Sequence, residues 1–405
     1  MRRLILAGAG HAHAQVLLQM AREHPHGLPD GVEVVVLSPY KLAPYSGMVP
    51  GWLSGRYCFD QIAIDFERLS RAAGATWLAS ELAGLNPDAR TIDLTDGSTL
   101  AYDTLSLNIG SNLQPPDSDM LTLRPLANLK QRFESLLATW ADNPGQRPRS
   151  LTVVGGGAAG FEVLLALQAR LRIVAQQSKK TMGRTEASIT ARLITRGQSV
   201  LPEHGTMTRL LANRCLARNA VQCQTNTAWS NHLRREDDLV VWATGAAAHS
   251  WQRDPDRRRS LAVNKDGYIR IDSQLRSISH PDIFAAGDCA HWEGAPDQFT
   301  KRGCGLPKAG VYAVRMGPIL THNLLTLLNQ PYGHRGTGMS LSDSLQSYRP
   351  QKHFLTILNT ADGRAIAARG PVAAAGHWAM CWKDRIDTAF VERMNSPSAK
   401  PPGRL

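Results

Sequence analysis

Short apolar runs alternate with longer amphipathic stretches along this chain, the rhythm of buried parallel strands joined by helices. Leu4-Ile5-Leu6-Ala7 reads as a first strand, and a helical pattern from His11 to Arg22 follows it. A polar loop with Pro25, Gly27, Pro29 and Gly31 leads to a second apolar run, Val32 to Leu37, which completes a strand-helix-strand unit. From Pro39 to Tyr57 the periodicity stops. Pro44-Tyr45-Ser46-Gly47-Met48-Val49-Pro50-Gly51 predicts an irregular loop there, of the kind that often carries function. Asp96-Gly97 between two strand-like runs predicts a hairpin. The run from Tyr102 to Gly110 predicts a strand ending in a glycine turn, and Gln114-Pro115-Pro116 a linker.

The pattern then repeats. Leu151-Thr152-Val153-Val154 predicts a strand, a helix begins near Ala159, and a strand follows from about Ala191 to Thr195. The polar stretch from Gln176 to Glu186 lengthens this unit, so an insertion or extra hairpin is expected. Leu239 to Gly245 echoes the first half's Leu105 to Gly110. Further on, Ile283-Phe284-Ala285-Ala286 ends in Gly287-Asp288, which sets a carboxylate at a strand's carboxyl end, where α/β sheets bind ligands. Leu306-Pro307-Lys308-Ala309-Gly310 opens a long helical pattern, with Pro307 expected in its first turn.

Two of these strand-to-helix turns are glycine-rich: Gly8-Ala9-Gly10-His11-Ala12-His13 and Gly155-Gly156-Gly157-Ala158-Ala159-Gly160. The first glycine makes the tight bend, and the second lets backbone N–H groups approach a pyrophosphate at the positive end of the helix. One such turn is weak evidence. Two, a domain's length apart, imply two dinucleotide-sized sites held face to face.

Composition changes this picture little. The 405 residues, 43% hydrophobic and 20% charged, allow two to three domains with cores and exclude extended disorder. No apolar run approaches the ~20 residues that span a bilayer, so membrane contact would be peripheral. Met1-Arg2-Arg3 leads into an apolar run too short for a signal peptide. The net charge of +12 suits anionic nucleotides, an anionic lipid surface or simple solubility. Scattered basic residues without interleaved aromatics argue against nucleic acid. Six cysteines without CxxC pairing fit a reducing, cytoplasmic compartment.

The glycine turns, Phe161-Glu162, Ala243-Thr244-Gly245 and Ile283 to Asp288, in this order, resemble the pyridine nucleotide-disulfide oxidoreductase superfamily over nearly the whole chain. The details are similar to its branch of type II NADH:quinone dehydrogenases and sulfide:quinone reductases. His11-Ala12-His13, the loop from Pro44 to Gly51, and Pro307 to Arg315 resemble a subgroup often fused to selenophosphate synthetase, although no synthetase domain is present.

This resemblance implies an α/β fold of two Rossmann-like domains plus a C-terminal α+β segment. The FAD domain, 1–115 and 251–328, is split by an inserted NAD(P) domain, 116–250, and residues 329–405 form an interface or membrane-facing segment. FAD contacts are expected from Gly8, Gly10, His11, Ala12, Ser38, Pro44, Gly110, Gly287, Asp288, Lys308 and Ala309. NAD(P)H contacts are expected from Gly155, Gly157, Gly160, Arg196 and Gly245. Lys308, in the first turn of its helix, would add charge near the flavin, or be a solvated surface lysine. Glu162 would position the hydride donor or acceptor, or merely complement its helix's dipole.

Some positions depart from the family pattern. The first unit's second strand ends at Ser38 and the second unit's at Thr195-Arg196, where a ribose-binding acid is expected. Arg196 suits a 2′-phosphate; the alternative is a degenerate site. The redox disulfide is missing, since the segment from Leu42 to Phe59 holds only Cys58. Electrons would therefore leave directly from the flavin to a quinone or similar small acceptor. Cys304 and Cys289 keep open a sulfur- or selenium-compound oxidoreductase, and a non-enzymatic flavin sensor and a flavin-free dehydrogenase are further rivals. His11, His13, His24 and His26 are spaced like metal ligands, but cofactor contact or packing is expected instead. Trp378, Trp382, Ile386, Phe390 and Met394, with Lys383, Arg385 and Arg393 between them, predict a basic amphipathic helix for the inner membrane face, a homodimer face or the core. The tail from Ser396 to Leu405 is expected to be disordered.

Overall fold

The computed structural model describes residues 1–182, 189–294, 306–329, 344–351 and 354–397. Two five-stranded parallel sheets organise them. The first runs in the order Ile283–Ala285, Thr104–Leu107, Arg2–Ala7, Val32–Leu37 and Thr76–Leu78. The second runs Leu121–Thr122, Asp238–Trp242, Ser150–Val154, Thr190–Ile194 and Val221–Gln224. Each central strand is a continuous apolar run because helices cover both faces of such sheets. Leu4, Ile5, Leu6, Leu151 and Val153 are fully buried. The strand Ile283–Ala285 returns to the first sheet after the second is complete, so the first Rossmann-like unit is discontinuous. Where the chain crosses between the sheets, Asn112–Leu113 pairs antiparallel with Ala246–Ala247.

The helix His11–Glu23 follows the first strand and packs along Gly310–Leu328. Pro318 lies inside the latter and has no N–H for the carbonyl of Val314, four residues back. Gln15 Nε2 donates to that carbonyl at 2.8 Å instead, so the neighbouring helix supplies the missing donor.

Three expectations are corrected. The stretch from Pro39 to Tyr57 is not irregular throughout. Leu42–Pro44 is a short strand, Ser46–Met48 a 3-10 turn, and Val49–Ser54 a helix with Pro50 in its first turn and Gly55 (φ 88°) closing it. Met48, Val49, Trp52 and Leu53 are buried at helical spacing, with Trp52 edge-on to Phe133 at 5.3 Å. Next, Gln176 to Met182 continue the helix Ala158–Met182, and the rest of the expected insertion lies outside the described residues. Finally, the long helix after Pro307 begins only at Gly310, because extended Ala309 (φ −139°) caps it. Pro307 and Lys308 therefore precede it.

The C-terminal segment is α+β. Thr356–Asn359, Ala365–Arg369 and Val372–Gly376 form an antiparallel sheet, and the helix His377–Asn395 follows. The expected apolar stripe on that helix does not hold one face. Trp378, Trp382 and Ile386 are 52%, 43% and 43% exposed, Phe390 is half-buried and Met394 is buried. Steps of four residues advance 400° on a helix of 100° per residue, so the stripe rotates about 40° each time. Lys383, expected on the basic face, is consequently buried. The tail beyond residue 397 lies outside the described residues.

Candidate active site

The first glycine turn is bolted from behind by a residue that motif reading does not single out. Asn108, just past the strand Thr104–Leu107, accepts from Ala12 N–H at 3.0 Å and His13 N–H at 3.4 Å through Oδ1, and donates from Nδ2 to Ala286 O at 2.7 Å. A Cβ on Gly8 (φ 102°) would come within 2.5 Å of Asn108 O, and one on Gly10 within 2.0 Å of Asn108 Oδ1. Both glycines are thus required by packing as well as by ligand approach. His13 adds a second bolt. One ring nitrogen donates to Gly8 O at 2.7 Å and the other accepts from Ser106 Oγ at 2.9 Å. Burial lowers its pKa to about 4, so the ring is neutral. His11, lowered to about 4 by the same cause, packs edge-on to Tyr45 at 5.1 Å.

In front of this turn lies a cleft of about 330 Å³. Gly8, Gly10, His11, Ser38, Pro44, Gly110 and Asp288 line it, together with Asn108, Arg124, Asn128 and His249, which the sequence reading missed. Ala12, Gly287, Lys308 and Ala309 stand outside its lining. Ala12 and Gly287 sit behind the wall, where a Cβ on Gly287 would stand 2.9 Å from Asn108 Nδ2. Arg124 Nη1 pairs with Asp288 at 2.6 Å and also meets Ser111 Oγ. Lys308 is neither in a first helical turn nor a free surface lysine. Its ammonium donates to Ala290 O at 2.5 Å, lies 3.7 Å over the Tyr268 ring, and is lowered by burial to about 8.

The second turn is more open. A Cβ on Gly155 (φ 135°) would strike Ala243 O at 2.7 Å, and one on Gly160 would strike Gly155 O at 1.9 Å. Gly157 and Gly245 have nothing within 4 Å of a would-be Cβ, so they leave room at the N-terminus of the helix Ala158–Met182. Arg196 is exposed beside this turn.

The helix His377–Asn395 joins the two cradles. At one end Phe390 packs on Tyr45 at 4.7 Å, tying it to the first turn. One and two turns back, Asp387 and Lys383 form a buried ion pair at 2.9 Å in the field of Glu162. Glu162 lies past the first turn of its helix and accepts from Asn359 N–H at 2.7 Å, so it does not act as a cap. Burial raises its pKa to about 7, against the attraction of Lys383. Burial disfavours the Lys383 ammonium, but Glu162 and Asp387 outweigh that and hold it above its usual range. Asp387 is raised by burial in spite of Lys383.

The thiol of Cys289 points into the core, 3.4 Å from Leu107 O and from Ala286 O, and burial raises it to about 11. It is not a flavin-facing nucleophile. Cys304 lies outside the described residues.

The sequence pattern of the pyridine nucleotide-disulphide oxidoreductase family matches residues 2–317. The chain belongs to this family. An NADH dehydrogenase-like protein of Mycobacterium tuberculosis is 25% identical over 237 residues, 54% of this chain, which spans just over half (56%) of that relative's length. A nitric oxide reductase FlRd-NAD(+) reductase of Salmonella typhi is 24% identical over 72% of this chain and 74% of its own. Among solved structures, the sulfide:quinone oxidoreductase of Aquifex aeolicus has a TM-score of 0.71 at 14% identity, covering 98% of this chain and 92% of its own. The NDH2 of Plasmodium falciparum, solved with NADH, has a TM-score of 0.71 at 14% identity, covering 98% and 100%. At such identities these structures establish the shared fold.

FAD and NAD(P)H are the cofactors of an oxidoreductase of this family, and the two cradles fit them. The first offers an elongated cleft with the Arg124–Asp288 pair along it, and the second an open helix N-terminus whose glycines leave space for a pyrophosphate. Asn108 and Arg124 escape a motif search because their partners are 96, 178 and 164 residues away in sequence.

Proposed function

We propose that this protein is an FAD-dependent NAD(P)H oxidoreductase that passes electrons to a quinone or a similarly small acceptor. The observation that carries the reading is the buried Glu162, Lys383 and Asp387 cluster between the helix of the second glycine turn and the C-terminal helix, which contains a carboxyl able to hold a proton near neutral pH. FAD, when bound, supplies the site that takes a hydride from NAD(P)H and returns two electrons to an acceptor, which also takes up two protons.

This chain's residues bind, orient and protonate. Gly8, Gly10, Ser38, Pro44, Gly110 and Asp288 hold FAD along the first cleft, with Asn108 and Arg124 fixing its walls. Gly155, Gly157, Gly160, Gly245 and Arg196 receive NAD(P)H. Glu162 holds a proton for the reduced acceptor, and Lys383 with Asp387 sets its affinity for that proton. A lipid-soluble acceptor agrees with the exposed Trp378, Trp382 and Ile386, whose helix also carries exposed Arg385, a composition suited to peripheral contact with an anionic membrane face. No helix among the described residues is long and apolar enough to cross a membrane.

The test is the visible spectrum of the purified protein during anaerobic addition of NADH or NADPH, followed by a short-chain quinone. Bleaching of a bound flavin and recovery on quinone addition are expected. A colourless protein, or a flavin that neither donor bleaches, overturns the proposal. A bleached flavin that quinone leaves reduced confines it to the donor half.

A further inference from the structure

The second glycine turn presses on the end of its neighbouring strand, the place where a dinucleotide's adenosine ribose would rest in such a fold. Gly155 N–H donates to Ile194 O at 2.8 Å, and a Cβ on Gly156 would stand 2.8 Å from Thr195 Oγ1. On the far side Leu201 N–H donates to Gly156 O at 2.7 Å. The next wall is tied in by Asn226 N–H to Gly197 O at 3.0 Å and Thr227 N–H to Thr195 O at 2.9 Å. The ribose corner is therefore built from residues 195–199 and 224–227.

Neither segment contains an aspartate or a glutamate. A dinucleotide with a free 2′-hydroxyl is gripped by a carboxylate at this place, whereas a 2′-phosphate needs a cation. Thr195 stands at the strand end, and its Oγ1 accepts from Gly197 N–H at 3.2 Å. Arg196 follows, exposed, with no hydrogen bond or ion pair among the described residues. The strand's other arginine is already committed. Arg192 is buried against Asp238 at 2.9 Å and Thr152 Oγ1 at 3.1 Å. A guanidinium with no ion pair among the described residues, beside an anion-binding helix N-terminus, matches a dianionic phosphate in charge and in forked geometry.

We infer that the hydride donor is NADPH in preference to NADH, with Arg196 gripping the 2′-phosphate and Thr195 occupying the position where an NADH site carries its carboxylate. The inference rests on the proposed reading of the second turn as the NAD(P)H site.

The flavin-loaded protein is titrated in a calorimeter with 2′,5′-ADP and with 5′-AMP, redox-silent probes that differ only in the 2′-phosphate. Charge-assisted hydrogen bonds of this kind predict about 10- to 100-fold tighter binding of 2′,5′-ADP. Arg196→Ala removes that difference and leaves 5′-AMP affinity unchanged. The double variant Thr195→Asp, Arg196→Ala moves preference in kcat/KM and Kd toward NADH. Equal affinities for the two probes, or an Arg196→Ala effect that weakens both alike, overturns the inference. If NADH alone bleaches the flavin, the NADPH assignment falls while the proposed function stands. If neither probe binds and neither donor bleaches the flavin, both fall.

Discussion

Replacing Glu162 by glutamine isolates the carboxyl on which the proposed proton supply depends. The amide keeps an oxygen for Asn359 N–H, so the local hydrogen bond survives while the titration is removed. Burial holds the Glu162 carboxyl at about 7 in the folded chain, above the ordinary 4.5 of a glutamate. Between those values the folded state retains a proton that the unfolded state has released, so stability falls as pH rises through the window, at most by about 1.4 kcal/mol per pH unit. Below 4.5 both states hold the proton, and above 7 both have lost it. At pH 8 the accumulated penalty is about 3 kcal/mol, and at pH 5 it is under about 1 kcal/mol. Urea denaturation of wild type and Glu162→Gln at the two pH values reads the difference. The variant is expected to gain about 2–3 kcal/mol on wild type between pH 5 and pH 8. In stopped-flow reoxidation of the reduced flavin by quinone, the wild-type rate should fall above pH 7 and the variant should lack that break. Parallel stability profiles, or the same pH break in both proteins, would refute the assignment of a neutral-pH proton to Glu162.

Asn108→Leu strands two backbone N–H groups and the Ala286 carbonyl in the core. At ~1–3 kcal/mol for each unsatisfied group, about 3 kcal/mol or more of stability is lost and the flavin content of the purified protein drops, measured by thermal unfolding and the flavin-to-protein absorbance ratio. Cys289→Ala should cost on the order of 1 kcal/mol and leave flavin reduction and turnover unchanged; lost turnover with flavin retained would place a thiol in the chemistry. Trp378→Glu with Trp382→Glu should abolish co-sedimentation with anionic vesicles without altering the NADPH-driven bleaching rate, and undiminished vesicle binding would exclude that face.

The parts of this molecule that the sequence reveals are those where one residue type is physically obligatory. Gly8, Gly155 and Gly287 adopt positive φ and are crowded, by backbone at the first two and by the Asn108 and Ala313 side chains at the third, so their presence after apolar runs marks both turns and the carboxylate-bearing strand end. Asn108 and Arg124 do equally decisive work through partners far away in the chain, and nothing local distinguishes an asparagine or arginine that does so. The helix Val49–Ser54 is hidden because Pro50 and Gly51 suggest a loop, although Pro50 sits where a helix tolerates it. Lys308 is misplaced because the helix begins only after extended Ala309, and its ammonium meets a carbonyl and an aromatic ring instead. The C-terminal stripe misleads because a spacing of four resembles a helical face only over short lengths.

The dependence of Val314 on Gln15 bears on the order of events during synthesis. Every strand of the second sheet has been synthesised once Trp242 is added, but its core still lacks Leu358, Ile366 and Val391. The first unit waits as well. Its opening helix completes the hydrogen bonding of a helix about 300 residues later, Arg2 reaches Leu327 O at 2.6 Å, and the Asn108 bolt waits for Ala286. Flavin capture is therefore a late step in biogenesis, and chains truncated before Leu328 will be colourless.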